Sequence, residues 1–217
     1  MPAEPRQSAK GRAYDFIKRE VLRGAYEGGD LISEGDVAKR LDMSRTPVRE
    51  AFLRLEVEGL LKLYPQRGAL VVPVSPAEVR SVLEARRLLE RFAVEKLLAG
   101  PAPARDAAVE ALAAHVRRQR TAGSTGDAEA FLEEDRLFHT GLLDASGNPL
   151  VVQFYGTLRD RQTRMIAESM VSEPHRRESI MEEHAEILDA LRAGDGERTL
   201  AALDAHLAST RKALGVT

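Results

Sequence analysis

The 217-residue sequence contains no cysteine and no tryptophan, and aromatic side chains make up only 5% of it. The missing cysteines exclude a disulfide scaffold, a thiolate metal site and a thiol nucleophile, and they accord with a reducing compartment. No apolar run approaches the roughly 20 residues that a membrane span needs. Residues Met1 to Gly11 are polar and lack the apolar core of a signal peptide. These absences predict a cytoplasmic protein with no membrane partner. An excess of either charge is missing as well. The 32 Lys and Arg face 34 Asp and Glu, a net charge of -2, which at first sight argues against a nucleic-acid partner.

What the sequence does contain is helix-forming. Ala, Leu, Glu and Arg dominate long stretches, and these residues favour helix over sheet. With 43% hydrophobic and 30% charged residues, the chain has the composition of a globular protein with a sizeable core, in one or two domains. The expected architecture is mainly α, with a winged helix-turn-helix over residues 1–75 and an antiparallel all-α helical bundle over residues 76–217.

The first unit is read from its punctuation. Ala13, Phe16, Ile17 and Val21 fall at helical spacing between Gly11 and Gly24. Ser33, with Asp36 three residues on, resembles a capping box and starts a short helix over 34–41. After a tight turn at Asp42 and Met43, Ser44-Arg45-Thr46-Pro47 opens a third helix, with Val48, Ala51, Phe52 and Leu55 on one face. Leu61, Leu63, Leu70 and Val72 alternate in period two around Tyr64-Pro65-Gln66-Arg67-Gly68, which predicts a β-hairpin with a basic tip.

Helix, short helix, turn, helix and hairpin is the order of a winged helix-turn-helix, whose third helix enters the major groove. Arg45 and Arg49 lie four residues apart on one face, with Ser44 and Thr46 beside them, and Arg is shaped to bond guanine O6 and N7 together. Gln66, Arg67 and Gly68 at the hairpin tip suit a phosphate or the minor groove. Two such arginines alone are more often ordinary charges on a solvated helix face, and it is the surrounding order that reverses this in favour of the reading role. The charge also divides: 13 Lys and Arg against 11 Asp and Glu up to Ser75, but 19 against 23 after it. The near-neutral total conceals a mildly basic first unit and an acidic second one.

From Pro76 onward the sequence predicts six helices, over 76–98, 104–121, 127–145, 149–170, 174–193 and 195–214, with Gly- and Pro-containing breaks between them. Asp135 and His139 lie four apart on one helix face. His184 and His206 sit mid-helix among apolar residues, so all four side chains can converge between helices. Three neutral imidazoles and a carboxylate suit a divalent ion such as Zn, Ni or Mn. Any one histidine so flanked is also an ordinary core or surface residue. His115, His175, Arg117-Arg118-Gln119-Arg120 and Arg176-Arg177 read as solvated.

Ser44-Arg45-Thr46-Pro47-Val48-Arg49-Glu50-Ala51, then Leu55-Glu56-Val57-Glu58-Gly59-Leu60 and Arg67-Gly68-Ala69, together resemble the signature of GntR-family transcriptional regulators. Leu31-Ile32-Ser33-Glu34 with Val37, Ala38 and Leu41 resembles the same family's first helix boundary. Gly35 departs from it, standing where many members carry a polar or basic residue that reaches the DNA backbone. Asp42 replaces a common turn Gly, but Asp tolerates the left-handed conformation. The segment from Val79 to Glu90 resembles the start of the FCD effector domain of the FadR subfamily, and six helices would place it with the shorter, VanR-like group. The resemblance implies a metal held by Asp135, His139, His184 and His206. It also implies a carboxylate effector that completes the coordination and pairs with a basic residue on the first bundle helix, matched by Arg86.

The resulting expectation is a homodimeric transcription factor, a repressor, that reads a short palindromic operator in double-stranded DNA and responds to a small organic acid. Two alternatives remain at this level. The metal could be structural or itself the signal, or an open metal position could activate water in a metal-dependent hydrolase. Against the last, the sequence holds no nucleophile motif and no Gly-rich phosphate loop.

Overall fold

The computed structural model describes residues 8–173 and 175–216. The polar segment before Ser8, and Pro174 at the expected start of the fifth bundle helix, lie outside the described residues. The chain divides into two compact units between Val74 and Ser75, and among the described residues no helix is long and apolar enough to cross a membrane.

The first unit runs α1 (Ala9–Leu22), β1 (Leu31–Ile32), α2 (Glu34–Arg40), α3 (Arg45–Val57), β2 (Leu61–Tyr64) and β3 (Gly68–Val71). Its core gathers Ala13 and Ile17 of α1, Val48, Phe52 and Leu55 of α3, and Leu61, Ala69 and Val71 of the hairpin. On α1 and α3 these are the apolar positions set by the helical period, and Leu61 is buried as the alternation predicts. On β3, however, Ala69 and Val71 are buried instead of the expected Leu70 and Val72, because the register pairs Leu61 with Val71 and Leu63 with Ala69 and so puts those four on one face. Ser33 Oγ accepts from Gly35 N and Asp36 N, so α2 is capped as expected. Ser44 precedes α3 but its hydroxyl makes no cap bond. Asp42 takes a left-handed φ of 50°, and the tight turn between α2 and α3 is kept. Strand β1 was not legible in the two residues it comprises. It pairs antiparallel with β3, which gives the sheet order β1-β3-β2.

The second unit comprises α4 (Pro76–Leu98), α5 (Ala102–Thr125), α6 (Ala128–Ala145), α7 (Pro149–Gly156), α8 (Arg159–Ser172), α9 (Arg176–Ala193) and α10 (Gly196–Ala213). Short loops make neighbours of α5 and α6 and of α9 and α10, while α4 packs on α6 and α10. The helix expected over 149–170 is two helices. Thr157 N and Leu158 N bond back only three residues, to Phe154 O and Tyr155 O, and Thr157 Oγ1 also takes Phe154 O at 2.7 Å. That tightening turns the chain, and the bundle has seven helices among the described residues rather than six. The helix count thus gives no support to the shorter, VanR-like grouping. Conversely, α5 runs through Gly123-Ser124-Thr125, expected as a break. The Ser124 and Thr125 hydroxyls bond back to Thr121 O, and the helix ends only at Gly126, with φ 77°.

Polar residues interrupt the inward stripes of five helices. Arg86 and Glu90 lie between Leu83 and Ala93 on α4, Gln119 follows Val116 on α5, and Asp135 and His139 flank Phe138 on α6. His184 lies between Ile180 and Ile187 on α9, and His206 follows Leu203 on α10. All of these polar residues are buried. Burying ionisable groups is costly unless each is paired or bound to a metal, so the interior of this unit is built around a polar centre.

Candidate DNA interface and metal centre

On the first unit, α3 turns Val48, Ala51, Phe52 and Leu55 into the core and leaves Arg45 and Arg49 exposed. The two arginines share a cleft with Gln66, Arg67 and Gly68 of the hairpin, so α3 and the wing present one basic face. Ser44 and Thr46 are exposed beside it without lining the cleft. Glu56 fixes the wing to α3, its Oε1 accepting from Leu63 N at 2.8 Å. Sequence reading gave Glu56 no role. Gly68 has φ 98°, and a side-chain carbon there would run into the Ile32 carbonyl oxygen. The glycine is therefore required first by close approach to β1 within the sheet, whereas the sequence had pointed to close approach to a phosphate. At Gly35, a side-chain carbon would lie 3.3 Å from Arg45 Nη2, so the space a larger residue would fill is occupied by Arg45 itself.

In the second unit His139, His184 and His206 meet at the centre of the bundle. One ring nitrogen from each lies within 4.8 Å of the others, and the ring centroids are 4.9 to 5.0 Å apart. Each Nδ1 has a partner facing away from the centre. His139 Nδ1 lies 3.0 Å from Glu90 Oε2, His184 Nδ1 2.9 Å from Gln119 Oε1, and His206 Nδ1 2.7 Å from Glu183 Oε2. Ionised carboxylates only accept, so His139 and His206 carry their protons on Nδ1. Gln119 donates its Nε2 to Asp135 Oδ1 at 3.3 Å, which leaves its oxygen to accept from His184 Nδ1. All three Nε2 atoms therefore hold bare lone pairs directed inward.

Those lone pairs call for a cation. His184 Nε2 and His139 Nε2 are 3.3 Å apart with no proton between them, and His206 Nε2 is buried with no hydrogen-bond partner. A separation of roughly 3.3 Å is what two nitrogens show when each lies 2.0–2.1 Å from one tetrahedral zinc. Asp135 Oδ1 lies 3.7 Å from His184 Nε2, beside the triad though outside its tightest grouping. Burial, followed by the charge of neighbouring histidines, pushes the His184 pKa well below the ordinary imidazole value, and burial also lowers that of His206. Both are the neutral ligands a metal needs. The backing carboxylates remain ionised. Burial pushes Glu183 up, but hydrogen bonds from His206 and Arg176 prevail and bring it to about 2. Burial likewise opposes ionisation of Glu90, and the Arg86 charge beside it, with the hydrogen bonds from His139 and Arg86, holds its pKa well below the carboxylate range.

Arg86, expected as the effector contact, is buried against this centre. Its Nε donates to Glu90 Oε1 at 2.8 Å, and its Nη2 has no partner. Tyr155 of α7 donates its hydroxyl to the same Oε1 at 2.8 Å. Glu90 thus joins Arg86, Tyr155 and His139, a function the sequence reading missed although Arg86 and Glu90 stand four apart on one helix. Arg87 lies on the exposed side and pairs with Asp204. Three residues read as solvated are not. Gln119 and Arg176 are fully buried, and His115 is partly buried with its Nδ1 2.7 Å from Glu134 Oε2. His175 is exposed.

Comparison with known proteins decides the family. The sequence matches the bacterial regulatory proteins of the gntR family over residues 9–71 and the FCD domain over residues 81–209. The chain belongs to the GntR family. This GntR protein is 30% identical to the HTH-type transcriptional repressor RspR of Escherichia coli, over 94% of its own length and 87% of that protein. It is 28% identical to a probable D-xylose utilization operon transcriptional repressor of Paenarthrobacter nicotinovorans, over 94% and 88% of the two chains. The crystal structure of a putative GntR transcriptional regulator from Rhodococcus sp. RHA1 shares its fold, with a TM-score of 0.75 at 21% identity over 96% and 98% of the chains. GntR regulators bind DNA operators and FCD domains bind small-molecule effectors, in some members with a metal. The protein is a repressor-like DNA-binding regulator, and its family and relatives are regulators rather than enzymes, which removes the hydrolase alternative.

Proposed function

We propose that this GntR protein is a homodimeric repressor of the cytoplasm whose hold on a short palindromic operator is set by a small organic acid bound at a divalent metal in the FCD domain. The metal would be held by His139, His184, His206 and Asp135, and would supply a Lewis-acidic positive centre for an anionic ligand. The observation that carries this reading is the pair of bonds through Glu90, which fastens Arg86 beside His139 at 2.8 and 3.0 Å. An anion completing the metal's coordination would lie within the influence of the Arg86 guanidinium, whose Nη2 has no partner. The role of Arg45 and Arg49 is base reading in the major groove. Ser44, Thr46, Gln66, Arg67 and Gly68 serve phosphate contacts and the wing's approach to the minor groove.

Self-association is supported by exposed apolar side chains on two helices that touch, Leu88 and Phe92 on α4 and Leu150 and Phe154 on α7. A second reading, in which the metal is structural or is itself the signal, is favoured by one fact: Glu90 already pairs with Arg86, so no organic anion is required there. Thermal shift of the purified protein, with and without chelator, against a panel of carboxylic and hydroxy acids separates the two. Stabilisation by an acid only in the presence of metal supports the effector reading, and stabilisation by metal alone supports the second. In gel shift, Arg49→Ala should cost about 1 to 3 kcal/mol in operator affinity and relax base preference. Unchanged affinity and specificity would remove α3 as the reading helix.

A further inference from the structure

Arg176 is the first residue of α9 and is fully buried. Its Nη1 donates to Glu183 Oε1 at 2.9 Å and to Ser209 Oγ at 2.8 Å, and its Nη2 donates to Glu183 Oε2 at 3.2 Å and to Thr210 Oγ1 at 2.9 Å. Glu183 Oε2 in turn accepts from His206 Nδ1 at 2.7 Å. We infer that Arg176 is a positioning residue for the metal centre: by clamping Glu183 end-on, it fixes the orientation and tautomer of His206 so that His206 Nε2 is aimed at the ion. This inference rests on the metal reading above.

Three observations converge on it. Glu183 is only partly buried, with 19% of its side chain exposed, so without the clamp its carboxylate can swing toward water and leave His206 Nδ1 unsupported. A two-pronged guanidinium–carboxylate pair fixes a plane as well as a distance, and that plane decides where the second lone pair of Oε2 points. Closing the α9–α10 seam does not by itself require a buried ion pair, since well-packed apolar side chains of similar volume are often as stabilising or more so. What the ion pair adds is an oriented acceptor behind the third ligand. The other two ligands have equivalent support, Glu90 being held by Arg86 and Tyr155, and Gln119 by Asp135. Arg176 is the anchor for His206, reaching it through Glu183.

The test uses the full-length protein, with Zn2+ affinity measured by competition against a chromophoric chelator and ligand geometry followed by the visible absorption of bound Co2+. Loss of an outer partner of a metal-bound histidine typically weakens binding 10- to 100-fold. Arg176→Met and Glu183→Gln should each weaken Zn2+ by about that factor and alter the Co2+ spectrum. The double variant should be no weaker than the worse single one, because both remove the same support, and Arg176→Lys should recover part of the loss. If Arg176→Met binds Zn2+ like the parent with an unchanged Co2+ spectrum, and only its melting temperature falls, Arg176 is purely structural and the inference fails while the metal reading stands. If the parent protein takes up neither Zn2+ nor Co2+, both fail. Should Arg176→Met not fold, Glu183→Gln decides alone: it retains size and shape, and unchanged affinity and spectrum there overturn the inference.

Discussion

At the scale of single residues, the positions that matter most combine an unusual backbone or burial state with a partner distant in sequence. Gly68 is one such position. Its φ of 98° and the nearness of the Ile32 carbonyl oxygen leave no room for a methyl group. Gly68→Ala should destabilise the first unit by about 1 to 3 kcal/mol and speed hydrogen exchange at the paired amides of β1 and β3, as read by denaturant titration and exchange mass spectrometry. A wild-type exchange pattern would mean that the strand pair tolerates the side chain. The glycine itself was visible in the sequence, but its reason was not, because Ile32 is 36 positions away and its strand is only two residues long. The three histidines that meet in the bundle were visible through their helical spacing. The outer partners Gln119, Glu183 and Arg176 were not: Gln119 stands in a run of arginines and reads as surface, and Glu183 adjoins a histidine it does not serve while backing one on another helix.

At the scale of elements, the periodic pattern located nearly every helix, and departures arose where side chains compete for backbone groups. Thr157 breaks the span after α7, and the hydroxyls of Ser124 and Thr125 sustain α5 past a glycine. The packing of α1 on α3 has its own polar tie. The Tyr14 hydroxyl and Lys18 Nζ both donate to Glu58, at 2.8 and 2.9 Å, and Arg54 joins from α3. Burial raises the Glu58 pKa, but hydrogen bonds from Lys18 and Tyr14 and the charges of Lys18 and Arg54 lower it below its ordinary 4.5. A carboxylate depressed in the folded state contributes stability above its unfolded pKa and loses it as pH falls through the folded value. The first unit should therefore weaken in acid below about pH 4.5, and Glu58→Gln should flatten that limb of the stability curve. Thermal melts of both proteins between neutral and acidic pH would show it. Parallel acid limbs would mean that the tie contributes nothing.

At the scale of the whole molecule, a basic reading unit and an acidic bundle explain why a total charge of -2 is compatible with a DNA-binding regulator: the total is the sum of two units of opposite sign. The exposed apolar faces of α4 and α7 bear on assembly. Leu88→Arg combined with Phe154→Arg should convert a dimer to a monomer by light scattering. It should also cost more than 10-fold in affinity for a palindrome while sparing affinity for an isolated half-site, since joint engagement of two half-sites is lost. A dimer unaffected by both changes would place the self-association surface elsewhere.

Glu90 has two oxygens and three donors, one each from α4, α6 and α7. All lie out of reach of water, and a buried donor deprived of its acceptor costs about 1 to 3 kcal/mol. The carboxylate therefore cannot turn to a newcomer without stranding a group on at least one of three helices. Tyr155, the donor on α7, adjoins Phe154 on that helix's exposed side. Any rearrangement at the heart of the bundle is thus a shared constraint on its wall, and Glu90 is the hub through which the inside and the outside of this unit must agree.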